Sequence, residues 1–155
     1  MNEANATLTV DLQGLALEED SEGLRLSAYP DPGTGGDPWT IGFGHTGDDV
    51  YEGLTITKEQ AIALLQRDIA TAEDAVLHLV DVPLTQGQFN ALVDFAFNCG
   101  AGNLKASTML RLINQGRFDE ADEQFQKWDK AAGKVLSGLH TRRLAEAAEF
   151  MDPDA

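Results

Sequence analysis

A chain of 155 residues with 26 acidic against 11 basic side chains carries a formal charge of −15 and a sequence pI near 4.3. That field repels nucleic acid and anionic membrane surfaces, so neither is expected as a partner. The 43% hydrophobic content belongs to a folded domain, the single cysteine, Cys99, excludes an intrachain disulfide, and no run approaches the ~18 apolar residues of a membrane span.

The N-terminal segment "MNEANATLTVDLQGLALEEDSEG" is acidic and lacks a basic n-region, so it reads as neither a signal peptide nor an anchor, and the expected location is the cytoplasm that made it. Leu12, Leu15 and Leu17 predict a first helix over about residues 11–21, ending near Gly23. Three β-favouring pieces follow, "LSAY", "WTIGFGHT" and "VYEGLTI", read as a small hairpin or three-stranded sheet and as the only β-rich part of the chain.

From Thr57 the pattern turns helical. "TKEQ" is a capping box opening a helix to about Val80, with Ile62, Leu65, Ile69, Ala72, Val76 and Leu79 on one stripe, and Pro83 follows its end. "TQGQ" at Thr85–Gln88 is a second capping box, for a helix carrying Phe89, Leu92, Val93 and Phe95 that "NCGAGN" breaks. Three more helices are expected over about 107–115, 118–128 and 138–150. His45, His78 and His140 stand far apart and no calcium-loop pattern occurs, so no metal and no cofactor is expected.

The segment "SEGLRLSAYPDPGTGGDPWTIGFGHTG" concentrates glycine, proline and separated oxygen side chains. Glycoside hydrolysis needs one protonated acid for the leaving oxygen and one ionised carboxylate on the other face of the sugar, with a hydroxyl to hold water. Glu22, Asp31 and Thr40 form such a set. On spacing alone, among 26 acids, a solvated helix-end carboxylate remains the better account of Glu22.

The strings themselves add more. "EGLRLSAYPD" followed by "WTIGFGHT", then "LTITKEQAIALLQRDI", "LTQGQFNALVDFAFNCGAGNL", "STMLRLINQG", "QKWDKAAGKVLSGL" and "RRLAE", closely resembles the phage-type lysozymes of glycoside hydrolase family 24 from about Leu15 to Phe150. The resemblance implies an α+β, predominantly helical, two-lobe fold in one domain over residues 1–155. Its parts would be an N-terminal β-containing lobe at about 14–56, a connecting helix at about 57–80 and a helical lobe at about 81–150. It also implies an endolysin that hydrolyses the β-1,4 bond between N-acetylmuramic acid and N-acetylglucosamine for host cell lysis. The alternatives are a lytic transglycosylase on the same bond and a non-catalytic wall-binding or virion structural module.

Carried over, the family's catalytic residues fall on Glu22, Asp31 and Thr40. Eight residues, "PGTGGDPW", separate Asp31 from Thr40 where shorter members have five, and this makes Asp37 a rival carboxylate. One of Arg142 and Arg143, with Arg142 preferred, is implied as support for the catalytic Glu, against a solvated cationic face. Asn98 is implied as a sugar contact, against a plain helix C-terminus, and Tyr29 and Trp128 as groove aromatics, against core packing. His45 is expected to be a packed or salt-bridged structural residue, and Cys99 a small buried one. Peptidoglycan is the implied partner, with a holin-type pore for release, a monomeric state, and residence in the host cytoplasm until then. One feature is discordant: peptidoglycan carries carboxylates, and a −15 chain gains no steering toward them unless its surface is locally less negative or salt screens the field.

Overall fold

The computed structural model describes residues 1–131 and 133–155. Among these, seven α-helices, two short 3-10 turns and five strands in two sheets are formed. The chain divides into two compact units, Glu18–Ala70 and Met1–Leu17 with Thr71–Ala155.

The unit Glu18–Ala70 holds the end of α1 (Leu12–Glu22), the strands β1 (Arg25–Tyr29), β2 (Thr40–Gly42) and β3 (His45–Thr46), and the first turns of α2 (Lys58–Leu79). The sheet is antiparallel in the order β1-β2-β3, with Arg25 opposite Gly42, Tyr29 opposite Thr40, and Thr40 opposite Thr46. The expected assignment of three pieces to three strands is corrected here. "WTIGFGHT" supplies both β2 and β3 because the chain reverses at Phe43-Gly44, where Gly44 takes φ +84°, a conformation that favours glycine. "VYEGLTI" contributes only the isolated bridge of Thr55 to Ser27, flanked by hydrogen bonds from Ala28 N–H to the Leu54 carbonyl and from Ile56 N–H to the Leu26 carbonyl.

Ile41, Phe43, Val50, Ala61, Leu65 and Ile69 are the buried apolar residues of this unit. The capping box at the start of α2 forms as expected. Gln60 N–H donates to Thr57 Oγ1 at 3.1 Å, and Thr57 N–H donates to Gln60 Oε1 at 2.8 Å.

The second unit is built on α3 (Gln86–Cys99), whose residues Phe89 to Ala96 are all buried, the mark of a helix covered on every side. Around it lie α4 (Ala101–Ala106), α5 (Thr108–Asn114), α6 (Phe118–Asp122) and α7 (Ser137–Met151). Phe95, Phe125 and Phe150 pack edge to face at 6.0 and 5.4 Å, and Trp128 closes on Phe95 at 5.4 Å. Gly14 of α1 is required by space: a Cβ there would fall 2.5 Å from the Asn90 side chain on α3. Asn5, fully buried, donates to the Val82 carbonyl and accepts from Leu84 N–H, both at 2.8 Å, and so fastens the N-terminal segment to the turn before α3.

Two further expectations are corrected. The helix expected over 118–128 breaks after Asp122 and resumes as a 3-10 turn, Phe125–Trp128. Beyond it, β4 (Lys130–Ala131) and β5 (Lys134–Val135) pair antiparallel as a second sheet in a stretch with no β-signal of its own. The first helix forms where expected, and of the leucines that marked it Leu15 is buried while Leu12 is 86% exposed.

Candidate active site

Glu22 is the last residue of α1. Gly23 N–H donates to the Glu19 carbonyl at 3.0 Å and stops the helix, leaving the Glu22 side chain half-buried at the helix end. Its Oε2 lies 3.0 Å from where a Cβ on Gly44 would begin, so the carboxylate rests on the bare backbone of the β2–β3 turn.

Of the other two predicted residues, Thr40 lies on the sheet and Asp31 follows the end of β1. Thr40 opens β2 directly opposite Tyr29, and Asp31 stands two residues beyond Tyr29, so both flank the mouth of one loop. Asp31 is half-buried, and its backbone is held from three sides: its N–H donates to the Gly36 carbonyl at 3.0 Å, and its carbonyl accepts from Gly35 at 2.8 Å and from Thr34 at 3.2 Å. The extra loop residues are tied to one another, with Thr34 Oγ1 donating to the Asp37 carbonyl at 2.7 Å. The rival Asp37 is itself exposed. Tyr29 is half-buried beneath the Arg25 guanidinium, 4.7 Å from its ring centre.

His45 follows Gly44 and is 7% exposed, held between two carboxylates. Nδ1 meets Asp68 Oδ2 at 2.7 Å, and Nε2 meets Asp49 Oδ1 at 3.0 Å. Burial of the ring pulls its pKa down, but the hydrogen bonds and charges of Asp68 and Asp49 outweigh that and raise it above its ordinary 6.5. Through these two contacts the ring ties β3 to α2 and to the loop after β3. This is the salt-bridged structural role expected for it.

The remaining predicted residues lie in the other unit. The solvated reading of Arg142 and Arg143 is overturned, since they are 7% and 0% exposed. Arg142 grips Asp94 with two parallel bonds, Nη2 to Oδ1 at 2.8 Å and Nε to Oδ2 at 3.0 Å. Arg143 pairs with the fully buried Glu146, Nη2 to Oε2 at 2.8 Å and Nε to Oε1 at 2.6 Å, and its guanidinium lies 5.2 Å from the centre of the Phe95 ring. Burial, and then the hydrogen bond and charge of Asp94, push the Glu146 carboxyl well above its ordinary 4.5 against the pull of Arg143 and Arg142. The same surroundings favour the neutral form of the Glu146 carboxyl over its carboxylate. Asn98 is exposed near the end of α3. Cys99 is half-buried, with Arg143 Nη1 2.6 Å from its sulfur, and burial pushes the thiol up so that it stays protonated despite that neighbour.

Asp94 and Glu146 were not singled out from the sequence. The available signal was an acid inside the continuous apolar run of α3, because a carboxylate at such a position must find a partner. Among the described residues, no three His, Cys, Asp or Glu side chains converge to hold a metal ion, and no helix is long and apolar enough to cross a membrane.

Residues 19–146 match the phage lysozyme family. The chain belongs to that family. It is 42% identical over 144 residues to the endolysin of Bacillus phage B103, covering 93% of this chain and 54% of the relative. It is 40% identical over 148 residues to the endolysin of Salmonella phage P22, covering 93% and 99%. Among solved structures, the muramidase domain of SpmX from Asticaccaulis excentricus aligns with a TM-score of 0.85 at 39% identity, covering 94% of this chain and 99% of that one. The chain spans about half the length of the Bacillus phage relatives it matches.

Proposed function

We propose that the chain is a muramidase of endolysin type, a glycoside hydrolase that cuts the β-1,4 bond between N-acetylmuramic acid and N-acetylglucosamine in peptidoglycan for host cell lysis. The observation that carries the reading is the seating of Glu22 on the Gly44 backbone, in a family member whose Thr40 lies on the small sheet and whose Asp31 follows the sheet's first strand. Glu22 protonates the leaving oxygen. Asp31, with the Thr40 hydroxyl, positions the attacking water or stabilises the developing oxocarbenium charge. Arg142, Asn98 and Tyr29 are supporting residues. Before lysis the protein resides in the host cytoplasm as a monomer and reaches the wall through a holin-type pore.

Mass spectrometry of digested sacculi tests the reaction. Reducing muramic-acid ends are expected. A predominance of 1,6-anhydro ends means a lytic transglycosylase, free amines mean an amidase or peptidase, and intact sacculi mean a non-catalytic module.

A further inference from the structure

Thr40 has a second threonine beside it. The register of β2 and β3 sets Thr40 directly opposite Thr46 and Ile41 directly opposite His45. Residues directly opposite one another share a face of the sheet, and their neighbours along each strand take the other face. Ile41 and His45 are buried, and His45 meets Asp68 of α2. Thr40 and Thr46 therefore stand together on the opposite face, the first half-buried and the second exposed, with Cβ atoms about 5 Å apart. Tyr29, opposite Thr40, continues the row onto β1. Among the described residues, the hydroxyls of Thr34, Thr57 and Thr85 are in hydrogen bonds within the protein, whereas those of Thr40 and Thr46 are in none. Thr46 also stands close to the acid. Only His45 separates it from Gly44, on whose backbone the Glu22 carboxylate rests, so the Cα atoms of Gly44 and Thr46 are within about 7 Å of each other.

We propose that Thr46 is a substrate-binding residue whose hydroxyl holds a polar substituent of a sugar next to the scissile bond; the proposal rests on the glycoside hydrolase reading above. The chemistry of its surroundings selects that role. Glu22, Asp31 and Thr40 already supply the acid, the carboxylate and the water-holding hydroxyl, and a neutral alcohol on the edge strand has no proton to transfer at working pH. It both donates and accepts, which suits the hydroxyl and acetamido groups of an amino sugar. His45, the residue before it, is held on both ring nitrogens by Asp68 and Asp49, so this part of β3 is fixed before the sugar arrives and little ordering is lost on binding. A bond to a substituent that does not react is equally strong in the ground state and the transition state. Its loss therefore shows in KM, whereas loss of the water-holding Thr40 hydroxyl shows in kcat.

The test is steady-state kinetics of the full-length protein on soluble, uncross-linked peptidoglycan strands, read as new reducing muramic-acid ends, for wild type, Thr46→Val and Thr46→Ser. Valine keeps the branched shape and strand preference of threonine and removes the hydroxyl, while serine keeps the hydroxyl. Thr46→Val is expected to raise KM about three- to tenfold, the worth of one neutral hydrogen bond, with kcat within about twofold of wild type. Thr46→Ser should bring KM back to within about twofold. Calorimetric titration of the same strands into Glu22→Gln, with and without Thr46→Val, should show the same three- to tenfold weakening. An unchanged KM in Thr46→Val overturns the proposal. So does a fall in kcat at unchanged KM, which would place Thr46 with Thr40 in holding the water, and so does a serine variant as weak as the valine one. Failure of the hydrolase reading is visible separately, as the absence of new reducing ends from wild type while Thr46→Val still weakens strand binding in the titration.

Discussion

Oε2 of Glu22 lies 3.0 Å from the point where a Cβ on Gly44 would begin, and Gly44 has φ +84°. Gly44→Ala therefore strains the turn by about 1–2 kcal/mol and also displaces the carboxylate. The expected outcome is a melting temperature lower by roughly 2–8 °C and a wall-lysis rate at least tenfold lower at temperatures where the variant is fully folded. Clearing of wall suspensions, read beside thermal melting, separates the two effects. An unimpaired rate would show that the seat of Glu22 is unimportant.

Glu22→Gln keeps the size of the side chain and removes its acidic proton. Turnover is expected to fall on the order of 10²–10⁴-fold, the usual contribution of a general acid. Melting should move little, since the side chain is at a helix end and half-buried. Reducing-end release from sacculi is the measurement.

Asp31→Asn and Asp37→Asn distinguish the half-buried carboxylate at the loop mouth from the exposed one within the loop. Asp31→Asn is expected to lose about a hundredfold in rate, and Asp37→Asn to stay within about twofold of wild type. Thr40→Ala, which removes one hydrogen bond to water, should cost between about two- and tenfold. Active Asp31→Asn with dead Asp37→Asn would reassign the second carboxylate.

The clamp of Asp49 and Asp68 on His45 makes stability depend on pH. Because the folded-state value of His45 is raised, its stabilisation is complete below about pH 6.5 and is lost as pH rises through the folded value. Asp49, lowered chiefly by its bond to His45, acts in the other sense, and its share is lost as pH falls through a value below 3.8. His45→Asn should cost on the order of 2 kcal/mol near pH 6 and progressively less above it. Denaturant melts at several pH values check this, and a variant whose stability runs parallel to wild type from pH 6 to 9 would refute it.

Glu146 is raised in the folded state, so wild-type stability falls as pH climbs from about 4.5 toward the folded value. A carboxamide reproduces the protonated carboxyl, donating to Asp94 and accepting from Arg143. Glu146→Gln should be within about 1 kcal/mol of wild type at pH 5 and gain on it as pH rises. Glu146→Ala, which strands the buried Arg143, should lose about 3–5 kcal/mol. A Glu146→Gln loss as large as that of the alanine variant would mean that Glu146 is ionised.

What the sequence determined by itself was set by local chemistry. Thr57 and Thr85 cap their helices from three residues away, Gly23 ends α1 next to Glu22, and the apolar spacing of α2 places Leu65, Ile69, Ala72 and Val76 inside. The string from Glu22 to Thr40 likewise carried its catalytic reading in adjacent residues. Tertiary structure alone decided the burial of Arg142 and Arg143, because the partner that makes burial of Arg142 tolerable, Asp94, is 48 residues away in sequence. It also decided that "VYEGLTI" contributes one bridge instead of a strand, and that Lys130–Ala131 pairs with Lys134–Val135 between a 3-10 turn and α7. Short-range signals fix caps and turns because their energies arise within a few residues of chain. The state of a buried charge or a short strand depends on which distant segment arrives to satisfy it.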